Sequence, residues 1–351
     1  MVDLRSRRME VEEDPVALFE EFYQRGWTDG LPIIPPTPRR IQEMLAGAGR
    51  DPAEVLAAMP PRMAPVSVEK VATNAVMAGC LPAYLPVVLA VIEAISDPDF
   101  NLRGINSTTS PACVTTLVNG PIRHQLDINC GYGCMGPGWR ANATIGRAIR
   151  LVQLNVGGAV PGTGTKSTHG QPGRFTLCFG ELEEKNPWSP LHVDRGFQAE
   201  ESTVTVLGTT CTISIADTES KTARGTLTTL AHSMDGVGTN HMAVVWREGE
   251  SLLVLCPDHA MVLQREGWSK EDVKRFLYAN TQVPLARFSH ERHERMVSLG
   301  RTINGLAPLH SSPDDFLIAV AGGLGGYHST WLPTWGNTRA ITRKVRLPGP
   351  A

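Results

Sequence analysis

The sequence predicts a mixed fold, α/β or α+β, with a helical N-terminal region and two mixed α/β halves packed around a glycine-rich central site. Three observations carry this reading. Capped amphipathic segments crowd the first hundred residues. Short apolar runs of strand length begin at residue 113 and recur to residue 329. Residues 130–173 hold 11 of the 34 glycines, a concentration that signals tight turns or close backbone approach to a ligand. Helical and strand patterns interleave, as expected of mixed folds. We divide the chain into a helical extension (1–60), a first half with glycine-rich site loops (61–198) and a second half (199–351).

The elements follow in order. Asp14-Pro15 reads as an N-cap with proline at the first helical position, placing Leu18, Phe19, Phe22 and Tyr23 on one face, and Gly26 closes that helix. Thr37-Pro38 opens a second helix with Ile41, Met44 and Leu45 inward, and Asp51-Pro52 is expected to open a third. Between the first two, WTDGLPIIPPT (27–37) is apolar but locked by proline, so it lies extended over a surface or lines a cleft. Further helices are expected at 68–79 and 83–96. CVTTLVNG (113–120) is a buried strand, and a helix runs from about Arg140 to Val156 with Ile145, Ala148, Ile149 and Val152 inward. Gly157-Gly158 stops it, and glycine-rich coil follows to residue 173. RFTLCFGE (174–181) is a strand. STVTVLG (202–208) and CTISIAD (211–217) alternate like half-buried strands. A helix is expected at 226–235, then strands MAVVWRE (242–248) and SLLVLCPD (251–258) flanking a turn. Ser269 with Asp272 forms a capping box for a helix at 270–279. DDFLIAVAGGLGGYHS (314–329) is a strand running into a glycine turn.

Composition narrows the function. A net charge of −2 supplies no basic field for nucleic acid or an anionic membrane. The most apolar run, LPAYLPVVLAVIEAI (81–95), is too short and interrupted to span a bilayer. Seven cysteines without an export signal point to reduced thiols and a cytoplasmic protein. A homo-oligomer is the default expectation. Familiar signatures fail: GGAVPGTGTKST has Thr165, not glycine, before Lys166; HERH (290–293) is not HExxH; CxxC and GxSxG do not occur.

Three constellations remain. In NCGYGCMGPGWRANATIGRA (129–148), Arg140, Asn142, Arg147 and the backbone N–H groups after Gly138 gather near a helix N-terminus, where anions are favoured; Cys130 and Cys134 share that field. In CFGELEEKNPWSPLHVDRG (178–196), Cys178, Glu181, His192, Asp194 and Arg195 occupy a proline-stiffened loop suited to acid–base work. Histidines 241, 259 and 328 lie at strand ends as candidate proton carriers or ligands. Asp29, Arg195 and His241 join the substrate-binding candidates, and His328 the catalytic ones. Cys113, Cys130, Cys134 and His124 form a conceivable zinc set whose spacing matches no standard pattern.

The blocks GPGWRANATIGRA, NPWSPLHVDRGF, WTDGLPIIPPT, GWSKEDVKRFL and AGGLGGYHSTWLPTWGNTRAITR resemble, over nearly the whole chain, a bacterial family that accompanies UGSC-type cysteine or selenocysteine proteins. The resemblance implies that these blocks house a common site and that a partner carries thiol or selenol chemistry. It transfers no catalytic residue. The family pattern carries the arginine–asparagine block rather than the paired cysteines before it, which favours Cys178, Glu181 and His192 over Cys130 and Cys134.

The resulting expectation is an enzyme acting on a small anionic, carboxylated metabolite. Arg140, Asn142 and Arg147 hold the anion, a cysteine is nucleophile or redox centre, and Glu181 and His192 serve as acid and base. The reaction class stays open between lyase or hydrolase chemistry and thiol redox. No cofactor is expected. One alternative is a non-catalytic partner subunit of a thiol or selenol protein, with Trp331, Trp335 and Tyr327 as interface anchors. Another is a metal-dependent enzyme with cysteine and histidine ligands.

Overall fold

A computed structural model describes residues 4–243 and 249–348. Helix α1 (Pro15–Gln24) is capped by Asp14, whose carboxylate accepts from Ala17 N at 2.7 Å, and it buries Leu18 and Phe22. Helix α2 (Pro38–Ala46), capped by Thr37, buries Ile41, Met44 and Leu45. The third expected helix does not form. The Asp51 side chain accepts from Ala53 N at 2.9 Å and makes a turn, and Val68 N and Glu69 N bond back to Glu54 O and Pro52 O. The segment becomes a hairpin of β1 (Val55–Met59) and β2 (Ala64–Ser67). Long-range pairing wins over local helix propensity there because Pro60 and Pro61 leave room for only two turns of helix.

Helix α3 (Val68–Ala78) ends at Gly79 in the left-handed conformation. Helix α4 (Leu85–Ile95) buries every residue but Glu93, as a helix apolar on all sides must. Next come α5 (Leu102–Ser107), β3 (Cys113–Asn119), α6 (Ile122–Gln125), α7 (Arg140–Asn155), β4 (Cys178–Gly180) and α8 (Leu191–Asp194). The chain continues through β5 (Thr203–Thr209), β6 (Ile213–Ala216), α9 (Ala223–Ser233), α10 (Asn240–Ala243), β7 (Ser251–Leu255), α11 (Pro257–Arg265) and α12 (Lys270–Asn280). It finishes with β8 (Val283–Pro284), α13 (His290–Ser298), β9 (Leu306–Ala307), β10 (Phe316–Val320), β11 (His328–Leu332) and β12 (Ile341–Lys344).

Two four-stranded mixed sheets organise the molecule. The first runs β12-β5-β3-β4, with β3 parallel to β4 and antiparallel to β5. The second runs β10-β7-β11-β6, with β10 parallel to β7. The first sheet takes β5 and β12 from beyond residue 199. Side-chain alternation sorts the apolar residues into three cores. Val118, Val204 and Val206 of the first sheet pack against α3, α4 and α7. Leu117, Phe179 and Leu207 on its other face meet Leu252, Val254, Leu317 and Ala319 of the second sheet. Leu253, Leu255, Phe316 and Ile318 face α9, α11 and α12. The result is helix, sheet, sheet, helix.

This layering explains two departures from expectation. Strand β5 is buried at every position rather than half-buried, because it is central in a sheet covered on both faces; its polar Thr205 is paired with Thr342 across the strands at 2.9 Å. Trp331, expected as an interface anchor, is fully buried in the outer core; Trp335 and Tyr327 are partly exposed. In SLLVLCPD the strand stops at Leu255 and Cys256 caps α11. Of the expected strand MAVVWRE, Met242 lies in α10 and residues 244–248 lie outside the described residues. The HERH segment sits on α13, which buries no side chain. The capping box of Ser269 and Asp272 opens α12 as expected.

Candidate functional site

The glycine-rich region is a set of loops clamped by side chains. Asn142, buried on α7, accepts from Asn129 N at 2.9 Å and donates to Asn129 O and Cys134 O at 3.0 Å each, so its amide holds the 129–134 loop. Arg147 donates bidentately to Asp29 at 2.8 Å and 2.8 Å and also bonds Leu31 O and Pro32 O. Burial opposes charge on Asp29, but the Arg147 bond and charge outweigh it and hold the carboxyl below its ordinary value. Arg140 donates to Gly79 O at 3.0 Å, and Arg195 to Glu250 and Ala340 O. The arginines expected to hold an anion are thus engaged by the protein itself, and the Asp29–Arg147 pair fastens the proline-locked segment to α7.

A second cluster stands at the C-terminal ends of β3 and β4. Glu181, fully buried, accepts from Asn119 Nδ2 and Asn186 Nδ2 at 2.7 Å each and from Leu191 N at 2.9 Å. Burial pushes its carboxyl up, with Lys270 and Asn119 opposing. His192 is fully buried, its Nδ1 is 4.0 Å from Glu183 Oε1 and has no hydrogen-bond partner. Arg123, which sequence reasoning missed, ties the cluster together: it pairs with Glu183 at 2.9 Å and Glu184 at 3.0 Å, and its Nη1 lies 3.8 Å from Cys130 Sγ. Glu181, His192 and Cys130 therefore share one neighbourhood. Cys178 stands in the helix-facing core and Cys134 in the core between the sheets. Burial raises both thiols, Cys134 to about 11, and raises Cys130 less freely because Arg123 opposes it.

A third cluster occupies the opposite end of β3. Arg150 of α7 and Arg174 line a cavity of about 10 Å³ with Cys113, Asn106, Gln153 and Gly173, room for one water-sized atom. Arg150 bonds only Ala159 O, at 2.9 Å, and Arg174 only Thr165 Oγ1, at 3.0 Å; among the described residues neither meets a carboxylate. Burial, then Arg174, pushes Arg150 down to about 10, and burial lowers Arg174 as well. Glycine makes the approach possible: a Cβ on Gly146 would lie 2.3 Å from Thr176 Oγ1, and one on Gly173 would lie 3.1 Å from Cys113 Sγ. Gly173 also borders a pocket of about 310 Å³ lined by Gln171, Thr176, Thr212, Ser214 and Thr330. Signals for this cluster existed in the sequence. Arg150 lies one helical turn after Arg147, and Arg174 ends the glycine-rich coil.

Along β3, Cys113 and Asn119 are six residues apart, about 20 Å of extended chain. The Arg150–Arg174 cluster and the Glu181–His192 cluster therefore cannot act on the same bond. His241 is buried with Nδ1 3.1 Å from Thr334 O and Nε2 3.3 Å from Gly249 O; burial brings it down to about 4 against both contacts. His259 bonds Ser329 Oγ at 2.8 Å in the core, while His328 is exposed at the start of β11. Among the described residues no three His, Cys, Asp or Glu side chains are grouped to hold a metal ion, the Cys113, Cys130, Cys134 and His124 set included. No helix among them is long and apolar enough to cross a membrane. In comparisons with known proteins, no family model matches the chain and no curated protein matches it.

Proposed function

We propose that the chain is an enzyme acting on a small carboxylated metabolite bound in the pocket of about 310 Å³ beside Gly173, its anionic group directed toward Arg150 and Arg174. The observation that carries this is a pair of partly buried guanidiniums on one cavity, neither in direct contact with a carboxylate among the described residues; Asp29, committed to Arg147, attracts Arg150 only from a distance. Buried charge is costly unless paired, and arginine suits bidentate carboxylate recognition. The hydroxyl- and amide-lined pocket across Gly173 accommodates a polar body of small-metabolite size. Cys113 supplies the thiol. Burial raises it, with Thr209, Thr115 and Arg174 opposing, so the form beside a bound anion is the neutral thiol, suited to hold or donate a proton. Glu181 and His192, at the far end of β3, serve as structural anchors of their loop in this reading.

The test is thermal denaturation against a panel of small di- and tricarboxylates and phosphate. A binding carboxylate at about 100 times its Kd adds about 2.7 kcal/mol of stability. The gain disappears in Arg150→Met and Arg174→Met and survives in Arg140→Met. A panel without a stabilising anion, or a gain indifferent to both arginines, overturns the proposal.

A second reading, a partner subunit of a thiol or selenol protein, is favoured by one observation. Tyr132 is 68% exposed on the glycine loop, with its ring across Gly323 and its hydroxyl donating to Leu324 O at 3.0 Å. Such a rigid exposed aromatic suits an interface. Copurification lost in Tyr132→Ser supports it; an unaltered complex removes it.

A further inference from the structure

A cavity of about 760 Å³ lies between the N-terminal segment and the first three helices. Its walls are Leu18 and Phe22 of α1, Ile41 of α2, Met77 of α3, and Trp27 and Pro36 of the proline-locked segment. The expectation that this segment lines a cleft is met here. Phe22 and Trp27 pack edge to face with centroids 5.3 Å apart, so that wall is rigid. Thr37, Thr73, Asn74 and Asn155 are the polar spots beneath the strap; Asn155 Nδ2 donates to Asn74 Oδ1 at 2.7 Å, and Asn155 Oδ1 is buried without a hydrogen-bond partner among the described residues. The roof is the extended chain from Leu4 to Val11. It is pinned at one point, where the buried Glu69 carboxylate accepts from Arg5 N at 3.0 Å and Ser6 N at 2.9 Å. Residues 7–13 form no hydrogen bond with the body among the described residues.

A close-packed interior holds few voids larger than a water molecule. A mostly apolar groove of this size, open to solvent and roofed by a strap tied at Glu69 that runs on into α1, has room for a small molecule. Its mouth is cationic. Arg7 and Arg8 border it, both exposed and without a carboxylate partner, and Glu10 is the one acidic residue on its lining. Two positive charges against one negative leave one unit for an anionic head, and the apolar walls take a chain. We propose that this cavity binds an elongated apolar molecule with a single anionic head, of the long-chain carboxylate class, with Arg7 and Arg8 at the head and the walls from α1, α2 and α3 around the chain. This site shares no lining residue with the Arg150–Arg174 cluster, and neither proposal depends on the other.

Calorimetric titration of the full chain with dodecanoate, below its micelle concentration, tests the assignment. We expect one saturable site per chain, weakened at least tenfold in the Arg7→Ser/Arg8→Ser double variant. Dodecanol should bind the native protein no more tightly than dodecanoate binds that variant. Thr73→Phe, which fills the cavity from α3, and Val11→Glu, which sets a negative charge on the exposed roof, should each abolish binding. The second variant keeps the test decisive if the first fails to fold. No saturable binding up to about 1 mM, where the binding free energy is only about 4 kcal/mol, overturns the site. So does binding that survives Val11→Glu. Equal affinity for dodecanol and dodecanoate overturns the anionic head.

Discussion

Arg147 and Arg150 stand one turn apart on α7 and meet different surroundings. Arg147 finds Asp29, at 5% side-chain exposure, and becomes half of a buried ion pair. Arg150 finds a carbonyl and a second arginine, with Asp29 acting on it only from a distance. Their substitutions should therefore act in opposite directions. Asp29→Ala strands a half-buried guanidinium and should cost about 3 kcal/mol in urea unfolding. Arg150→Met removes an unpaired charge and should leave stability unchanged or higher, while abolishing anion-induced stabilisation. A large loss in Arg150→Met would mark that residue as structural. The thiols make a second prediction at this scale. All seven are pushed above the ordinary value of 9.0, with burial first among the causes in each. Iodoacetamide should therefore alkylate the native protein slowly until the pH exceeds about 9, and partly exposed Cys211 first. Fast labelling of any cysteine at pH 7 would show a stabilised thiolate that the arrangement of charges does not account for.

At the scale of elements, the N-terminal strap depends on one carboxylate. Burial opposes charge on Glu69, but donors from Ser6 and Arg5 outweigh it and hold the group below 4.5. A carboxyl depressed in the folded state contributes fully above its unfolded value and loses that contribution as the pH falls through its lower folded value. The strap should therefore stay docked at neutral pH and release in acid below about pH 4.5, read by hydrogen exchange of residues 4–13. At neutral pH, Glu69→Gln should speed tryptic cleavage after Arg7 and Arg8 roughly tenfold, about 1.4 kcal/mol of weakened docking. An unchanged cleavage rate would show that apolar contacts alone hold the strap. The hairpin β1–β2 teaches a related lesson. Asp51-Pro52 carries a helix-start signal, yet Pro52 O accepts from Glu69 N and Glu54 O from Val68 N, partners that no local reading could reveal.

For the whole molecule, the second sheet brings His241 and His310 together, with ring centroids 4.6 Å apart beside Gly249 O. Burial holds His241 at about 4 and, with the neighbouring ring, His310 well below 6.5. Both stay neutral when folded and bind protons when unfolded. Stability is then fully present above pH 6.5 and declines as the pH falls toward 4, His241 alone accounting for about 3 kcal/mol of the loss. Replacing His241 by glutamine should flatten that slope in chemical denaturation measured from pH 7 to 4; a slope as steep as in the parent would place the titrating group elsewhere.

Local signals in the sequence determined the helix starts at Asp14, Thr37 and Ser269, the helix at 68–78, the strands at 113–119 and 316–320, and the mixed class of the fold. Each depends on residues within a few positions of one another. Cysteine, glutamate and histidine were legible as chemistry-bearing types, and Cys130, Glu181 and His192 lie in one neighbourhood around Arg123 and Glu183. What only the tertiary structure decided is which charges are already answered. Asp29 reaches Arg147 across 118 positions, and Glu69 reaches Ser6 across 63. Whether a buried charge is free for a ligand depends on partners that the folding of two sheets and their covering helices brings from afar, and no spacing along the chain records them.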